Sequence, residues 1–391
     1  MDTIPVVLAA DNNYRYPLMV TLLSLLMNAK KNTKYQFIIL VSDQFDMESM
    51  ELINKLLKQY DMPEAVFYNM QDNYQNIEMQ IKHISYATFY RLQLPELLKE
   101  VEKCIYLDVD VVVKKDLKEF FDTELGDNYI AGVKAAGYYY PEEKKTATIN
   151  LLEIDKLDQY INAGVLLINL KKMREDKLAE TFEKLLEKNF PSQDQDILNA
   201  ACYGHIKVLP PKYNAMTKYN VGIKDEYDRI ECLHICYTRE EWNEACETPV
   251  IIHYADRWKP WQDLRGIFVQ EWWKYIKVLN QYTDCFQWLI QNISKYEEDT
   301  ACDFRKKQTE LKEKLQQTYD EKYERGQKIK RLKERVERQK LKIQDKQNLL
   351  KETKAKLNDV NGQLESVKKE KEELEKHLLV RITKKFFMSH N

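Results

Sequence analysis

Short apolar runs and longer segments of helical spacing alternate along residues 1–260 of this 391-residue chain. The apolar runs predict buried strands at residues 4–10, 35–41, 65–68 and 101–107. Apolar residues at intervals of three and four predict helices at 17–30 and 46–60, the second with Asp46 as its N-cap. Buried strands that alternate with helices indicate an α/β fold with a mainly parallel sheet.

Two polar clusters directly follow strands of this predicted sheet. Asp108 and Asp110 come after the run 101–107, and residues 11–14 (Asp-Asn-Asn-Tyr) come after the run 4–10. Residues i and i+2 of an extended chain point to the same side, so the two carboxylates favour a hard divalent cation such as Mg²⁺ or Mn²⁺. Taken alone, Asp108 and Asp110 also fit two solvated acids at a strand exit. Ligands of open α/β sheets bind beyond the carboxyl ends of strands, which favours a shared crevice for both clusters.

Further polar residues lie near the ends of later elements. A strand is predicted at 162–170, opening with Asn162, and a helix opens at 193–199 with Ser192 as its cap. His253 ends the apolar run 249–252, where a neutral imidazole could complete a metal site with two acids, and Lys259 could neutralise phosphate oxygens. The alternatives are simple helix capping, a surface histidine and a solvated lysine. The chain has no Gly-x-Gly-x-x-Gly or Walker loop, which argues against a dinucleotide or P-loop site.

The chain changes character after about residue 300. Residues 303–391 contain 26 lysines and arginines against 16 acids, whereas residues 1–302 are net acidic. Heptad spacing of apolar residues between Ile329 and Leu378 predicts a coiled coil over 303–380 and hence a homo-oligomer. A single charged helix is the alternative.

The last residues and the cysteines suggest where the protein works. Residues 381–391 combine cations with Phe386 and Phe387, which predicts peripheral contact with an anionic membrane, or else the frayed end of a coil. The seven scattered cysteines suit a reducing compartment. We therefore expect a cytoplasmic protein at the inner membrane face, with no nucleic-acid partner.

Several segments, in this order, resemble glycosyltransferase family 8, which includes bacterial lipooligosaccharide α-galactosyltransferases and glycogenin. The matching segments are Ala9-Ala10-Asp11-Asn12-Asn13-Tyr14, His83-Ile84-Ser85 with Arg91, Tyr106-Leu107-Asp108-Val109-Asp110, residues 162–170, Gln193-Asp194-Gln195-Asp196, and His253-Tyr254 with Lys259-Pro260-Trp261. The resemblance implies a GT-A type nucleotide-sugar-binding domain and metal-dependent transfer from UDP-sugars with retention at the anomeric carbon.

The resemblance also implies roles for individual residues. Asp108, Asp110 and His253 would hold Mn²⁺ or Mg²⁺, and Lys259 would contact the diphosphate. The uridine would be bound by Ala9, Asp11, Asn13 and Tyr14, with Val109 also on the nucleotide. The donor sugar, from UDP-glucose or UDP-galactose, would be held by Arg91, Asn162, Asp194 and Gln195. Arg91, Asp194 and Gln195 would be the catalytic residues, acting toward a glycan or glycolipid acceptor.

Because this sequence differs from the galactosyltransferases at two places, the acceptor of those enzymes cannot be carried over to this chain. The linker at residues 255–258 has no glycine, and residues 134–137 (Lys-Ala-Ala-Gly) lack the acid that those enzymes place near the acceptor. We expect a GT-A domain at 1–265, a helical extension at 266–302, the coiled coil at 303–380 and a basic, aromatic tail at 381–391. Two other functions fit the pattern: a non-catalytic transferase-like scaffold, and a metal-dependent nucleotidyl or phosphoryl transferase.

Overall fold

The computed structural model describes residues 3–70, 74, 86–255, 259–263, 266–280, 283 and 285–293, with further short stretches between 339 and 371. The chain divides into two compact units, Met1–Asp299 and Thr300–Asn391. In the second unit the described positions are helical and mostly exposed. Most of the predicted coiled coil (303–380) and all of the tail (381–391) lie outside the described residues.

A seven-stranded mixed sheet forms the centre of the first unit. Its strands are β1 (Ile4–Ala10), β2 (Tyr35–Val41), β3 (Val66–Asn69), β4 (Lys103–Leu107), β6 (Ile130–Gly132), β7 (Val165–Asn169) and β8 (Ile206–Val208), in the spatial order β3-β2-β1-β4-β7-β6-β8. A second sheet is formed by β5 (Val111–Val113), β9 (Ala215–Met216) and β10 (Ile251–His253), in the order β5-β10-β9.

Helices surround the sheets in the part of the first unit that the structure describes, and residues 285–293 beyond the twelve named here are also helical. The twelve are α1 (Arg15–Asn28), α2 (Met47–Gln59), α3 (Leu94–Leu97), α4 (Lys118–Phe121), α5 (Glu142–Leu152), α6 (Leu170–Glu175), α7 (Leu178–Leu186), α8 (Asp194–Ala201), α9 (Glu226–Arg229), α10 (Glu231–Cys236), α11 (Arg239–Glu247) and α12 (Val269–Leu279). Short 3-10 turns join several of them. Of the described helices, none has the length and apolar character that crossing a bilayer requires.

The central strands of the large sheet are buried on both faces, which explains their continuous apolar sequences. Along β1, Val6 and Leu8 belong to one core, while Val7 and Ala9 belong to the other. Successive side chains of a strand point to opposite faces, so a strand between two cores needs no polar alternation. The helices α1, α2 and α12 contribute to the first core, and α7 and α8 contribute to the second.

The sequence predicted a mainly parallel sheet. The observed sheet differs at β7, which runs antiparallel to both β4 and β6. Strands β1, β2, β3 and β4 are mutually parallel. Because β7 is reversed and Leu107 pairs with Val165, it is the amino end of β7 that meets the carboxyl ends of β1 and β4. This reversal places residues 162–164 beside Asp108.

Helix α8 also begins differently from the prediction. Gln193, and not Ser192, is its N-cap, and Gln193 makes no side-chain cap hydrogen bond. Gln193 has a φ of 52°, which is uncommon for a buried residue other than glycine. Unusual backbone angles of this kind are concentrated at functional sites.

Candidate active site

Three side chains that are distant in sequence form a compact cluster. His253 Nε2 lies 3.2 Å from Asp110 Oδ1 and 3.9 Å from Asp108 Oδ2. Asp108, Asp110 and His253 each offer a ligand atom, and these atoms lie within 4.8 Å of one another. Two carboxylates and one imidazole are a donor set that Mn²⁺ and other divalent ions accept. The residues present therefore fit a divalent metal.

The small sheet brings this cluster together. His253 on β10 pairs with Val111 on β5, which follows Asp110 directly. The N–H of Tyr254 donates to the carbonyl oxygen of Asp110 (3.0 Å), and the N–H of Asp108 donates to that of Gly164 (2.7 Å). These backbone contacts fix the turn between β4 and β5 from both sides, so the carboxylates point toward His253.

Gly164 leaves the space that the cluster needs. A Cβ at this position would lie 2.6 Å from Asp108 Oδ2, 3.0 Å from His253 Nε2 and still closer to the ring carbon Cε1. Approaches below about 3 Å require a neighbour to move, and here the neighbours are two of the three candidate metal ligands. Gly164 is thus the residue type that the close approach of β7 to this cluster requires.

Lys259 is a cation in contact with Asp110 of the cluster. Its ammonium group donates to Asp110 Oδ2 (2.6 Å) and to the carbonyl oxygen of Tyr254 (2.8 Å). Burial alone would raise the pKa of the Asp110 carboxyl, but the charges of Lys259 and His253 outweigh burial and hold this pKa below its ordinary value. Asp110 is therefore ionised at neutral pH, as a metal ligand must be.

Arg91 joins two acids of the site. Its guanidinium is buried, contacts Asp108 Oδ1 (2.8 Å) and Asp194 Oδ2 (3.1 Å), and donates to the carbonyl oxygen of Ala163. It also lies 4.1 Å from the centre of the Tyr106 ring. Arg91 thus bridges Asp108 and Asp194 and supports both side chains.

Asp194 is a buried acid with a perturbed pKa. Burial raises the pKa of its carboxyl to about 6, and the attraction of Arg91 and a hydrogen bond from the Thr88 hydroxyl offset burial only in part. Both carboxylate oxygens have partners, Thr88 on Oδ1 and Arg91 on Oδ2. Asp194 therefore lies on the pocket wall, with one carboxylate oxygen in a hydrogen bond and the other in an ion pair.

Asp11 and Tyr14 lie after β1, where the sequence predicts the nucleoside end. Asp11 Oδ1 accepts hydrogen bonds from the N–H groups of Asn13 (2.9 Å) and Tyr14 (3.2 Å) and so caps the 3-10 turn Asn12–Tyr14. Burial, together with Asp110, Asp11 and Asp108, raises the pKa of the Tyr14 phenol, which stays neutral. The Tyr14 ring meets Trp261 edge-on at 5.8 Å.

Gln195 and Asn162 are linked to each other by a hydrogen bond. Gln195 Oε1 accepts hydrogen bonds from Asn162 Nδ2 (3.0 Å) and from the N–H of Ala163 (3.3 Å). Gln195 Nε2 donates to the Tyr160 hydroxyl (3.0 Å). The amide oxygen of Gln195 therefore has two donors.

A pocket of about 400 Å³ collects most of the residues proposed from the sequence. Its walls include Ala9, Asp11, Tyr14, Arg91, Asp108, Val109, Asp110, Asn162, Asp194, Gln195, His253 and Lys259. Asn13 is exposed and is not among the lining residues, because the turn that brings Tyr14 to the pocket leaves Asn13 facing outward. Two short stretches lie outside the described residues. Residues 83–85 belong to a segment that matches the family, and residues 256–258 belong to the linker that lacks the family's glycine.

Several residues of the site were missed by sequence reasoning. Tyr138, Ser192 and Lys218 line the pocket, and Asn214 holds His253 from behind. Tyr138 and Lys218 lie in or beside short 3-10 turns, which carry no periodic pattern in the sequence. The unusual composition of residues 192–196 was the one signal that could have drawn attention to Ser192.

Comparison with known proteins identifies the family. The family model described as glycosyl transferase family 8 matches residues 5–265, about two thirds of the chain. The chain belongs to glycosyltransferase family 8. The mixed sheet described above is thus that of a GT-A-like glycosyltransferase.

Individual relatives match a similar share of this family 8 protein. A putative glycosyltransferase of Haemophilus influenzae is 29% identical over 255 residues, which is 63% of this chain and 74% of the relative. The lipopolysaccharide 1,2-glucosyltransferase of Escherichia coli is 30% identical over 268 residues, 67% of this chain and 74% of the relative. The lipopolysaccharide 1,3-galactosyltransferase of Salmonella typhimurium is 22% identical, covering 73% of this chain and 80% of the relative.

The likeness to a solved structure agrees with the family assignment. The galactosyltransferase LgtC, crystallised with donor and acceptor sugar analogues, superposes with a TM-score of 0.60 and 26% identity. The match covers 70% of this chain and 95% of the LgtC chain. The likeness confirms the GT-A-like part of the fold expected from the sequence.

Proposed function

We propose that this protein is a retaining hexosyltransferase that uses UDP-glucose or UDP-galactose and a divalent metal to extend a glycan. The observation that carries the proposal is the meeting of Asp108, Asp110 and His253 in a pocket that also contains Asp11, Tyr14 and Gln195. The two donor sugars are those suggested by relatives named as a glucosyltransferase and as galactosyltransferases.

Asp108, Asp110 and His253 would hold Mn²⁺ or Mg²⁺, which supplies charge stabilisation to the departing diphosphate when bound. Lys259, on the other side of Asp110, adds a protein-borne positive charge for the same diphosphate. Arg91 keeps Asp108 in place and shields it from Asp194. Lys259 and the metal would thus place positive charge where the leaving group develops negative charge.

Ala9, Asp11, Tyr14 and Val109 form the proposed nucleoside end of the pocket, beside the metal ligands. The aromatic face of Tyr14 suits stacking on a base. Asn162, Asp194 and Gln195 form the proposed sugar end, where amide and carboxyl groups can bind sugar hydroxyls.

The occupied side chains of the sugar end support a front-face reaction. Gln195 Oε1 accepts two N–H donors, and both oxygens of Asp194 are engaged by Arg91 and Thr88. The amide oxygen of Gln195 is a poor nucleophile, and the Asp194 carboxylate is held by Arg91 and Thr88, so both side chains disfavour a covalent intermediate. The acceptor hydroxyl would form its bond to the anomeric carbon on the face from which UDP leaves, and its proton would pass to the departing phosphate oxygen.

Tyr138, Ser192 and Lys218 also line the pocket, near its proposed sugar end. The Tyr138 ring stacks at 4.4 Å on Tyr160, which bonds to Gln195. An aromatic ring next to the sugar end suits the apolar face of an acceptor sugar. We assign this side to the glycan or glycolipid acceptor.

We further propose that residues 303–380 form a coiled coil that makes the protein a homo-oligomer, and that residues 381–391 contact an anionic membrane from the cytoplasmic side. The heptad spacing and the positive charge of this region support both proposals. The proposed catalytic domain then comprises residues 1–265 with a helical extension at 266–302.

Donor hydrolysis tests the proposal without knowledge of the acceptor. The protein is incubated with UDP-glucose, UDP-galactose and GDP-mannose, with Mn²⁺ or with a chelator, and products are followed by ¹H NMR in the first minutes. We expect UDP and the α-hexose from one UDP-sugar, with metal only. Release of UMP and a hexose phosphate would identify a phosphoryl transferase, and absence of both binding and hydrolysis would identify a scaffold.

A further inference from the structure

The two ring nitrogens of His253 have different partners. Nε2 faces Asp110 and Asp108, whereas Nδ1 lies 2.9 Å from Asn214 Oδ1. Asn214 and His253 are almost fully buried, with exposed fractions of 1% and 2%. A buried histidine ring is oriented by the hydrogen bond on the nitrogen that does not bind metal.

Backbone donors fix the direction of the amides behind His253. The N–H of Gly164 donates to Asn162 Oδ1 (3.1 Å), so this end of the Asn162 amide must be its oxygen. Asn214 Nδ2 donates to the same oxygen (2.9 Å), which turns Asn214 Oδ1 toward His253. An oxygen can only accept, so Nδ1 of His253 carries a proton and Nε2 is the nitrogen left for a metal.

The hydrogen bonds keep the same donor-to-acceptor direction toward the sugar end of the pocket. Asn162 Nδ2 donates to Gln195 Oε1, whose identity as oxygen is fixed by the N–H of Ala163. Gln195 Nε2 then donates to the Tyr160 hydroxyl, which donates to Asp196 Oδ1 (2.5 Å). Five side-chain hydrogen bonds therefore run in one direction, from the imidazole of His253 to the buried carboxylate of Asp196.

Asp196 is a suitable end for this chain of donors. It is 1% exposed, and its second oxygen accepts the N–H of Ser192 (2.7 Å). Since a carboxylate accepts at both oxygens, Tyr160 must donate to it and must accept from Gln195. The donor-to-acceptor direction that Asp196 requires therefore agrees with the direction that the Gly164 N–H sets at Asn162.

We propose that Asn214 is a positioning residue that begins a hydrogen-bond relay, His253–Asn214–Asn162–Gln195–Tyr160–Asp196, which couples the metal centre to the sugar end of the pocket. The relay holds His253 with Nε2 toward the metal and holds Gln195 with its remaining N–H available to the donor. This inference rests on the proposed metal-dependent function.

Two substitutions of Asn214 separate the two halves of the relay. Asn214→Ala removes the acceptor of the His253 Nδ1–H, and we expect the Mn²⁺ concentration for half-saturation, measured by calorimetry with UDP, to rise about 10- to 100-fold. Asn214→Asp keeps that acceptor but replaces the hydrogen bond to Asn162 Oδ1 by repulsion between two oxygens, which pushes the Asn162 amide away from its place next to Gln195. This variant should bind Mn²⁺ within about threefold of the natural protein while its kcat for donor hydrolysis falls about 10-fold or more.

Tyr160→Phe provides the complementary variant at the far end. It removes the acceptor of Gln195 and the donor to Asp196, so kcat should fall and Mn²⁺ binding should stay unchanged. Asn28→Ala is the matched control, since Asn28 Nδ2 donates to the carbonyl oxygens of Ser24 and Val113 and to the Tyr275 hydroxyl, none of which lines the pocket. Asn28→Ala should change neither quantity.

The protonated nitrogen of His253 gives a readout that needs no turnover. The chain has six histidines, so ¹⁵N-histidine labelling, with His253→Gln to assign the signal, resolves this ring by NMR. We expect an Nδ1–H that exchanges slowly in the natural protein and rapidly in Asn214→Ala. An unprotonated Nδ1, or equal Mn²⁺ binding by Asn214→Ala and the natural protein, would overturn the relay even if UDP-sugars are hydrolysed. A protein with the Nδ1–H that binds no Mn²⁺ would instead contradict the proposed function.

Discussion

Gly164 is the residue at which the site tolerates least change. An added methyl group would displace Asp108 and His253 together. Its backbone lies outside the left-handed region, so alanine introduces a clash and no additional backbone strain.

We therefore expect Gly164→Ala to fold and to lose about 100-fold or more in Mn²⁺ affinity, measured by calorimetry in the presence of UDP. Gly137→Ala is the control, because its Cβ would meet only the Tyr219 side chain, at 3.3 Å and beyond. If Gly164→Ala binds Mn²⁺ as the natural protein does, the metal does not lie between Asp108 and His253.

Asp194 gives a prediction for pH. Its pKa of about 6 is above the ordinary value of 3.8, so the folded state takes up a proton before the unfolded state does as pH falls. The stability that Asp194 contributes is then full below pH 4 and is lost as pH rises through 6.

The free energy of unfolding of the natural protein, minus that of Asp194→Asn, should therefore fall by up to about 3 kcal/mol between pH 4 and pH 7. Urea unfolding at several pH values measures this difference. A difference that grows with pH would mean that the ion pair with Arg91 outweighs burial and that Asp194 ionises readily.

At the scale of elements, apolar runs predicted the first strands well. Strands β1 and β2 have the predicted bounds, and Asp46 caps α2 by accepting the N–H of Ser49 (2.7 Å). These elements are specified locally, by continuous burial and by a capping side chain.

The direction of β7 and the small sheet could not be read from the sequence. An apolar run of five residues has no direction, and β5, β9 and β10 have only two or three residues each. It is their pairing that brings Asp110, Asn214 and His253 together. The residue pattern suggested that His253 could join two acids and the resemblance to a family assigned Asp108, Asp110 and His253 to one metal, whereas Asn214 had no signal in the sequence.

Helix α12 and residues 285–293, beyond the part matched by the family model, support a loop of the site. Trp261 is 4% exposed and packs its ring against Tyr14, Trp272 and Trp288 at 5.6 to 6.4 Å. Trp273 donates its ring N–H to the carbonyl oxygen of Pro260 (3.0 Å). Lys259 and Tyr14 are therefore held by the same aromatic cluster.

Trp261→Ala should cost about 3–5 kcal/mol of stability and should also weaken UDP binding with Mn²⁺, measured by calorimetry at a temperature where the variant is folded. Phe182→Ala, a buried aromatic of α7 outside the pocket wall, is the control for stability alone. Equal UDP affinities for these two variants would show that the aromatic cluster does not support the site.

At the scale of the whole molecule, the second unit is expected to assemble the protein rather than to catalyse. A chain that ends at residue 299 should hydrolyse donor as the full chain does, because the pocket residues all precede residue 260. Light scattering should give a multiple of 46.8 kDa for the full chain and a monomer for the shortened one. A monomeric full chain would contradict the coiled coil.

Removal of residues 378–391 tests the tail in the same series. Each basic residue near an anionic surface contributes about 1 kcal/mol, and this attraction falls with salt. The full chain should co-sediment with anionic vesicles at low salt, and the shortened chain should not. Equal binding to neutral vesicles would indicate that the tail is only the end of a coil.

The central claim is that Asp110, with Asp108 and His253, makes transfer from a UDP-hexose depend on a divalent metal. The most direct measurement is the rate of UDP release from UDP-glucose and UDP-galactose by the natural protein and by Asp110→Asn, over a range of Mn²⁺ concentrations. Asp116→Asn is the control, since Asp116 caps the backbone N–H groups of Lys30 and Lys118 outside the pocket. We predict metal-dependent release that Asp116→Asn retains and that Asp110→Asn lowers about 100-fold or more, because a charged ligand supplies several kcal/mol. Release at the natural rate by Asp110→Asn, or by the natural protein in a chelator, would contradict the claim.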